Sequence, residues 1–258
     1  MDPITFVGDV HGHLKNLRRL LEGAEMIDGN GVWVGGRRRL YMLGDLVDRG
    51  PQSLETMRFV RTLQREAARQ GGLVECMLGN HEALLFAGWT FRNDSDPSTS
   101  GSFMEAWLAN GGQPEIVDGL RDDDIAWLER RPMLTLVDGT YLVGHADSLF
   151  VTDLGNTISE VNEAVADILR SHDADRWDVF VERLFDRFVF SKDPDAVEEL
   201  FRRYGGRVFI HGHTPITNIA GTPAPLVQSA FSYAGGRVID VDGGMYLGSP
   251  GFLHMVDA

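Results

Sequence analysis

Five short apolar runs, each stopping at glycine and a polar residue, follow one another along the chain: "ITFVGD" (4–9), "LYMLGD" (40–45), "LVECMLGN" (73–80), "TYLVGH" (140–145) and "RVFIHGH" (207–213). Each reads as a buried strand that ends in a polar loop. Segments with helical spacing lie between them, such as Leu14, Leu17, Leu20 and Leu21, or Met57, Val60 and Leu63. Strands alternating with helices specify an α/β core. Near the C-terminus "RVIDVD" and "GFLHMVD" flank "GGMYLGSPG" with no helical pattern between them, so the sheet system is expected to be mixed.

A chain of 258 residues, 43% hydrophobic, can bury one large core or two small ones. No Pro- or Ser-rich linker divides it, and a single domain over residues 1–258 is expected. Two regions break the strand–helix rhythm. Residues 89–112 open as a polar, Ser-rich loop and continue into a short amphipathic piece, either a lid beside a site or a surface excursion. Residues 157–204 read as an acidic helical insertion, in which Asp173, Asp175 and Asp178 mark a solvated face. The formal net charge of −14 disfavours a non-specific grip on nucleic acid or an anionic membrane. The single cysteine, Cys76, lies in an apolar run and reads as a buried structural thiol. Apolar sequence begins almost at once, without a leader pattern, and no run reaches the roughly 18 apolar residues of a membrane span; a cytoplasmic location is the default expectation.

The strand ends carry Asp9, His11, Asp45, Asn80, His145 and either His211 or His213. In open α/β sheets, sites gather at the carboxyl ends of strands, where loops converge. Carboxylate, imidazole and amide oxygen together suit a borderline divalent ion such as Mn, Fe, Zn, Ni or Co better than Mg, which prefers oxygen and water. The set is too large for one tetrahedral ion and would serve two metals about 3.5–4 Å apart sharing one carboxylate, an arrangement suited to phosphoester cleavage. Taken singly, "GD" after a strand is an ordinary Asp turn, "GNH" a loop and "HGHTP" two histidines before a proline turn. Five such coincidences, all at strand ends, argue against that plainer reading.

The motifs "GDVHG" (8–12), "GDLVDRG" (44–50), "GNHE" (79–82), "GHAD" (144–147) and "GHT" (212–214) resemble those of the phosphoprotein-phosphatase branch of the calcineurin-like metallophosphoesterases. The resemblance runs from residue 4 to about residue 257. It is strongest to compact bacterial and phage serine/threonine phosphatases and to dinucleoside tetraphosphate hydrolases. It implies a four-layer sandwich of two mixed β-sheets flanked by helices, with the site at one sheet edge. It implies two divalent cations, manganese first: Asp9 and His11 on one, Asp45 bridging, and Asn80, His145 and His213 on the other. His211 is left for a local hydrogen bond. His81 is implied as general acid, oriented by Asp48, with Arg49 as phosphate clamp and Arg187, in "LFDRF", as a second one.

The implied activity is hydrolysis of phosphomonoesters, phosphorylated proteins first, by direct attack of a metal-bridging hydroxide. The alternative is hydrolysis of diadenosine tetraphosphate. Leu78 stands before "GNHE" where eukaryotic members carry arginine, which removes one phosphate contact, and bacterial branches share that leucine. "WLERRPMLTL" points towards the tetraphosphate hydrolases, whereas Glu82 stands where those usually carry aspartate, and Asp48 is kept where some of them replace it. A non-catalytic binding module and a nuclease are the remaining rivals, and intact candidate ligands together with the acidic balance weigh against both. Neither the oligomeric state nor the cellular metal is legible.

Overall fold

The computed structural model describes residues 3–94 and 97–257. The first three strands and the last build a sheet in the order β3-β2-β1-β9, from β1 (Ile4–Val7), β2 (Arg39–Met42), β3 (Leu73–Cys76) and β9 (His254–Val256). Strands β1, β2 and β3 are parallel, with Val7 opposite Met42 and Met42 opposite Cys76, while β9 runs antiparallel to β1. The second sheet, in the order β4-β5-β6-β8-β7, uses β4 (Leu134–Val137), β5 (Tyr141–Gly144), β6 (Val208–His211), β7 (Phe231–Tyr233) and β8 (Val238–Asp240). Here β5, β6 and β8 are parallel and the two edge strands antiparallel. Both sheets are therefore mixed, as expected.

Alternation along each strand explains the layers, because successive side chains point to opposite faces. Tyr41 and Leu43 join Ile4, Phe6 and Met77 in an inner core against Val137, Val143, Ile210 and Val241 of the other sheet. Leu40 and Met42 instead join the outer core, with the helices. Phe6 marks the seam between sheets: its ring lies 5.5 Å from Tyr41 and 6.3 Å from Tyr141. Apolar strands with both faces covered read as uninterrupted apolar runs, which is the pattern met in the sequence.

Helices α1 (Leu14–Gly23), α2 (Ser53–Arg69), α3 (Asn80–Phe91), α4 (Pro97–Ala109), α5 (Pro114–Gly119) and α6 (Asp122–Leu128) precede β4. Buried Met57, Val60, Leu63 and Ala67 form the inward stripe of α2. The stretch 89–112, expected to open as a polar loop, is largely helical among the described residues, with α3 running through Phe91 and α4 starting at Pro97. Proline suits a first helical position because its missing N–H would have no partner there. The helix holds because Phe103 and Trp107 are buried, Phe103 stacking on Phe91 at 4.8 Å.

Residues 157–204 hold α8 (Ile158–Leu169), α9 (Ala174–Arg183), α10 (Val189–Lys192) and α11 (Val197–Tyr204), after the short α7 (Val151–Leu154); α12 (Ile216–Ala220) follows β6. Asp173 caps α9 by accepting from Arg176 N at 3.2 Å, and Asp175 and Asp178 are exposed. Strands β8 and β9 are joined without an α-helix, through a 3-10 turn at Met245–Leu247, but they lie in different sheets, so this segment crosses the sandwich. Cys76 is buried, and burial pushes its thiol well above the ordinary range. Among the described residues, no helix is long and apolar enough to cross a membrane.

Candidate metal centre

The carboxyl ends of β1, β2 and β3 meet those of β5, β6 and β8 at one edge of the sandwich. His213 N donates to both Asp9 oxygens, at 3.0 and 3.2 Å, across 204 residues of chain. His81 N donates to Asp45 Oδ1 at 3.0 Å. Two glycines allow this approach. Gly44 has φ +100°, and a Cβ there would lie 2.7 Å from Gly79 N; a Cβ on Gly79 would lie 2.2 Å from Asp45 Oδ1.

Among the described residues nine non-glycine positions have positive φ, and five of them are His11, Asp45, Asp48, Arg49 and His213. Such conformations cost roughly 1–3 kcal/mol each and persist where the surroundings over-determine them. Glu82 is one fixing device. Fully buried, its carboxylate accepts from the N–H groups of Leu46 (2.7 Å), Asp45 (2.8 Å), Gly79 (3.1 Å) and Val47 (3.3 Å), tying the "GDLVDRG" loop to the start of α3. Burial, with Asp45 nearby, pushes Glu82 up to about 7.

Asp45 stands between two groups of potential ligands. Its Oδ2 lies 3.7 Å from His11 Nε2 and 4.0 Å from His81 Nε2, and its Oδ1 lies 3.5 Å from His145 Nε2. His11, Asp45 and His81 can direct ligand atoms to one point, and Asp45, His145 and His213 to another. Asn80 Oδ1 joins the second group, 3.0 Å from His145 Nε2 and 2.8 Å from His213 Nδ1.

Backbone carbonyls set the tautomers. His11 Nδ1 donates to Val47 O at 2.9 Å and His145 Nδ1 to Leu43 O at 2.6 Å, which turns the Nε2 lone pair of each ring towards the centre. Asp9 faces the first group, its Oδ2 3.9 Å from His11 Nε2.

The electrostatics of the protein alone are those of an under-compensated anionic pocket. Burial raises Asp9 well above the carboxylate range, and Asp242 and Asp45 add to the shift. Burial also acts upward on Asp45, but the imidazoles of His145 and His81 outweigh it and hold Asp45 low. Asp242 is pushed up to about 7 by burial. Burial lowers His11 and His213 well below the imidazole range, whereas Asp45 overcomes burial at His145 and raises it.

His81 Nε2, His213 Nε2 and Asp242 Oδ2 are buried with no hydrogen-bond partner. A buried polar atom without a partner costs about 1–3 kcal/mol. Cations at the centre would relieve the repulsion among Asp9, Asp45 and Asp242, and imidazole and carboxylate atoms converge there, so the residues present fit divalent metal ions.

Beside the cluster, His81 Nδ1 donates to Asp48 Oδ2 at 2.8 Å, and the Trp107 indole N–H donates to both Asp48 oxygens, at 2.9 and 3.0 Å. All three residues are fully buried. Arg49 lays its guanidinium on the Tyr246 ring, 4.1 Å from the centroid, and donates from Nη1 to His11 Nε2 at 2.9 Å. Arg187 is half-buried, with Nε donating to Phe185 O at 3.4 Å. Its charge lowers His213, so it is near the cluster electrostatically. His211 lies outside both groups: Nδ1 donates to Gly212 O and Nε2 pairs with the Tyr233 hydroxyl, each at 2.8 Å.

Three site residues escaped the sequence reading. Asp242 ends the apolar run "RVIDVD", the same signal as the other strand ends. Trp107 lies in the amphipathic piece after the Ser-rich segment, which reads equally as a lid or a surface excursion, and Tyr246 in a glycine-rich turn where nothing local marks it.

The sequence profile of the calcineurin-like phosphoesterase family matches residues 2–216. Shewanella-like protein phosphatase 2 of Arabidopsis thaliana is 39% identical over 85 residues, 33% of this chain and 22% of that protein. The symmetrical bis(5'-nucleosyl)-tetraphosphatase of Methylococcus capsulatus is 36% identical over 144 residues, 55% of this chain and 42% of that protein. The matches thus span less than half the length of these curated relatives. Among solved structures, a cold-active protein-tyrosine phosphatase of a psychrophilic Shewanella species superposes with a TM-score of 0.71 at 20% identity, over 100% of this chain and 76% of that one. A diadenosine tetraphosphatase assigned as putative gives 0.54 at 15% identity, over 99% and 93%. At these identities the superpositions speak for the fold alone, and they agree with the two-sheet architecture.

Proposed function

Because the chain belongs to the calcineurin-like phosphoesterase family, we propose that it is a dinuclear-metal phosphatase acting on phosphomonoesters, phosphorylated proteins first. One observation carries this reading: the two oxygens of buried Asp45 address different ligand groups, Oδ2 facing His11 and His81 and Oδ1 facing His145. Asp9, His11 and Asp45 would hold one cation, and Asp45, Asn80, His145 and His213 the other, with manganese the proposed ion. When bound, such cations supply Lewis-acid neutralisation of phosphoryl oxygens and acidify water near neutral pH.

The chain's own residues supply the rest. Arg49 binds phosphoryl oxygens with a guanidinium fork held against Tyr246. Arg187, whose charge also acts on His213, adds positive charge near the cluster. Asp48 accepts from His81 Nδ1 and so orients the ring; as the imidazolium, His81 would give its second proton from Nε2, which has no protein partner, to the leaving oxygen and return to the neutral Nδ1–H form. Trp107 holds Asp48 in place and covers it from water. As for residues 89–112, their contribution is a wall of the site: Trp107 on Asp48, and Gly111 O accepting from Arg49 N at 3.0 Å. Water acidified by such cations would serve as the nucleophile, so no cysteine or serine nucleophile is required.

Hydrolysis of diadenosine tetraphosphate is the second reading. It is favoured by the longer match to the tetraphosphatase relative, 144 residues against 85. Turnover of a phosphopeptide, para-nitrophenyl phosphate and the dinucleotide, each in Mn(II), separates the two. A preference for the dinucleotide by orders of magnitude would replace the first reading, and no turnover of any of them would favour a binding module.

A further inference from the structure

A groove of about 480 Å³ lies between α2 and the end of α6, and its walls are arginine-rich although the chain has 38 acidic against 24 basic residues. Arg61, Gln64 and Arg65 come from one face of α2, and Trp127, Arg130 and Arg131 from α6 and the turn after it. Asp123 is the single acid in the lining.

Neutralisation of these arginines is incomplete. Buried Asp124 accepts from Arg58 Nη2 at 2.6 Å and from Arg61 Nη1 at 3.0 Å, so one carboxylate serves two guanidinium groups. Arg65, Arg130 and Arg131 have no carboxylate within 4 Å among the described residues; their bonds go to Thr62 Oγ1, Ala126 O and Trp127 O, which are neutral. Two N–H groups of the lining, Arg61 Nε and Arg131 Nη1, are buried with no acceptor. Burial pushes the Arg131 guanidinium below its ordinary range, and the half-buried Glu75 offsets this only in part. The exposed guanidinium groups of Arg65 and Arg130, which have no carboxylate partner, are open to an acceptor from the groove, and an oxyanion would meet them with charge-assisted bonds.

The groove also restricts the kind of anion. Arg131 already covers the Trp127 ring, 4.2 Å from its centroid, and the indole N–H is held by Gln64 Oε1 at 2.6 Å. No free aromatic face is left for a nucleobase. The volume exceeds what a single phosphate needs, and the guanidinium groups come from both walls, Arg61 and Arg65 from α2 and Arg130 and Arg131 from the end of α6.

We propose that this groove binds an oligophosphate chain, at a site that shares no residue with the metal centre. The proposal stands apart from the catalytic reading. The test is isothermal titration of metal-stripped protein with sodium tripolyphosphate, so that bound cations cannot contribute. Arg65 and Arg130 are exposed, so Arg65→Gln with Arg130→Gln keeps the fold, which an unchanged Tm verifies. The expected result is saturable one-to-one binding that weakens at least tenfold in the double variant, persists in Arg49→Ala and falls with added salt. Absence of binding, equal binding in the double variant, or loss of binding in Arg49→Ala overturns the proposal. Equal or tighter binding of a tetraglutamate peptide also overturns it, because the groove would then be a docking surface for acidic protein segments.

Discussion

Replacing Asp48 by asparagine separates orientation from metal binding. Asp48 accepts from His81 Nδ1 at 2.8 Å and from the Trp107 indole N–H on both oxygens. Asparagine has one acceptor oxygen. If that oxygen faces His81, the amide N–H₂ meets the Trp107 N–H, and two donors oppose each other. If it faces Trp107, the N–H₂ confronts His81 Nδ1, which then gives up its proton and moves it to the far nitrogen.

Either way one charge-assisted bond is lost in a fully buried site. Such a bond contributes about 1.5–3 kcal/mol, which converts to a fall of roughly 10- to 150-fold in kcat. The candidate ligands do not include Asp48, so two metal ions per chain should remain bound. The assay pairs para-nitrophenyl phosphate kinetics with metal analysis of the same samples. Retention of kcat within about twofold, with both metals bound, would show that Asp48 does not act through His81. Loss of metal would place Asp48 among the ligands instead.

Trp107→Phe removes one neutral donor from Asp48 while filling nearly the same space; kcat should fall about 2- to 10-fold, and in a double-mutant cycle its effect should shrink when Asp48 is already asparagine. Asp45→Asn replaces the carboxylate shared by both ligand groups, and calorimetric titration with Mn(II) should show at least tenfold weaker binding, with stoichiometry below two. Asp240→Asn tests the buried acids by pH. Burial, then Asp242, raises Asp240 well above its ordinary value, so above the usual carboxylate range the folded chain holds a proton that the unfolded chain has released, and stability falls as pH rises towards the folded pKa. The variant keeps an oxygen for the Asp242 N–H, 2.8 Å away, so its Tm in metal-free buffer should decline less between about pH 4 and 8. An unchanged slope would show that Asp240 carries no such penalty.

Legibility in the sequence followed the range of the forces involved. The parallel strands were visible because both faces of each are covered, which leaves runs such as Leu40–Leu43 that no exposed element would show. Asp9, Asp45, Asn80, His145 and His213 were visible because a strand's carboxyl end delivers the next polar residue to the sheet edge. Trp107 was not: its partner Asp48 lies 59 residues away in sequence, and the helix presenting it is held by Phe91 and Phe103 rather than by local propensity. Tyr246 reaches Arg49 from a turn between two sheets, a contact that no periodicity encodes. The strand β7 is three residues long and stays ordered through its pairing with β8.

Metal dependence of turnover tests the proposed dinuclear phosphoesterase activity most directly. Metal-stripped protein at a concentration well above the dissociation constant is titrated with Mn(II), and the initial rate of para-nitrophenyl phosphate hydrolysis is followed. The expected result is no hydrolysis without metal and a rate that levels off at two equivalents per chain. Hydrolysis in the presence of a strong chelator, or none at two bound equivalents, would contradict it.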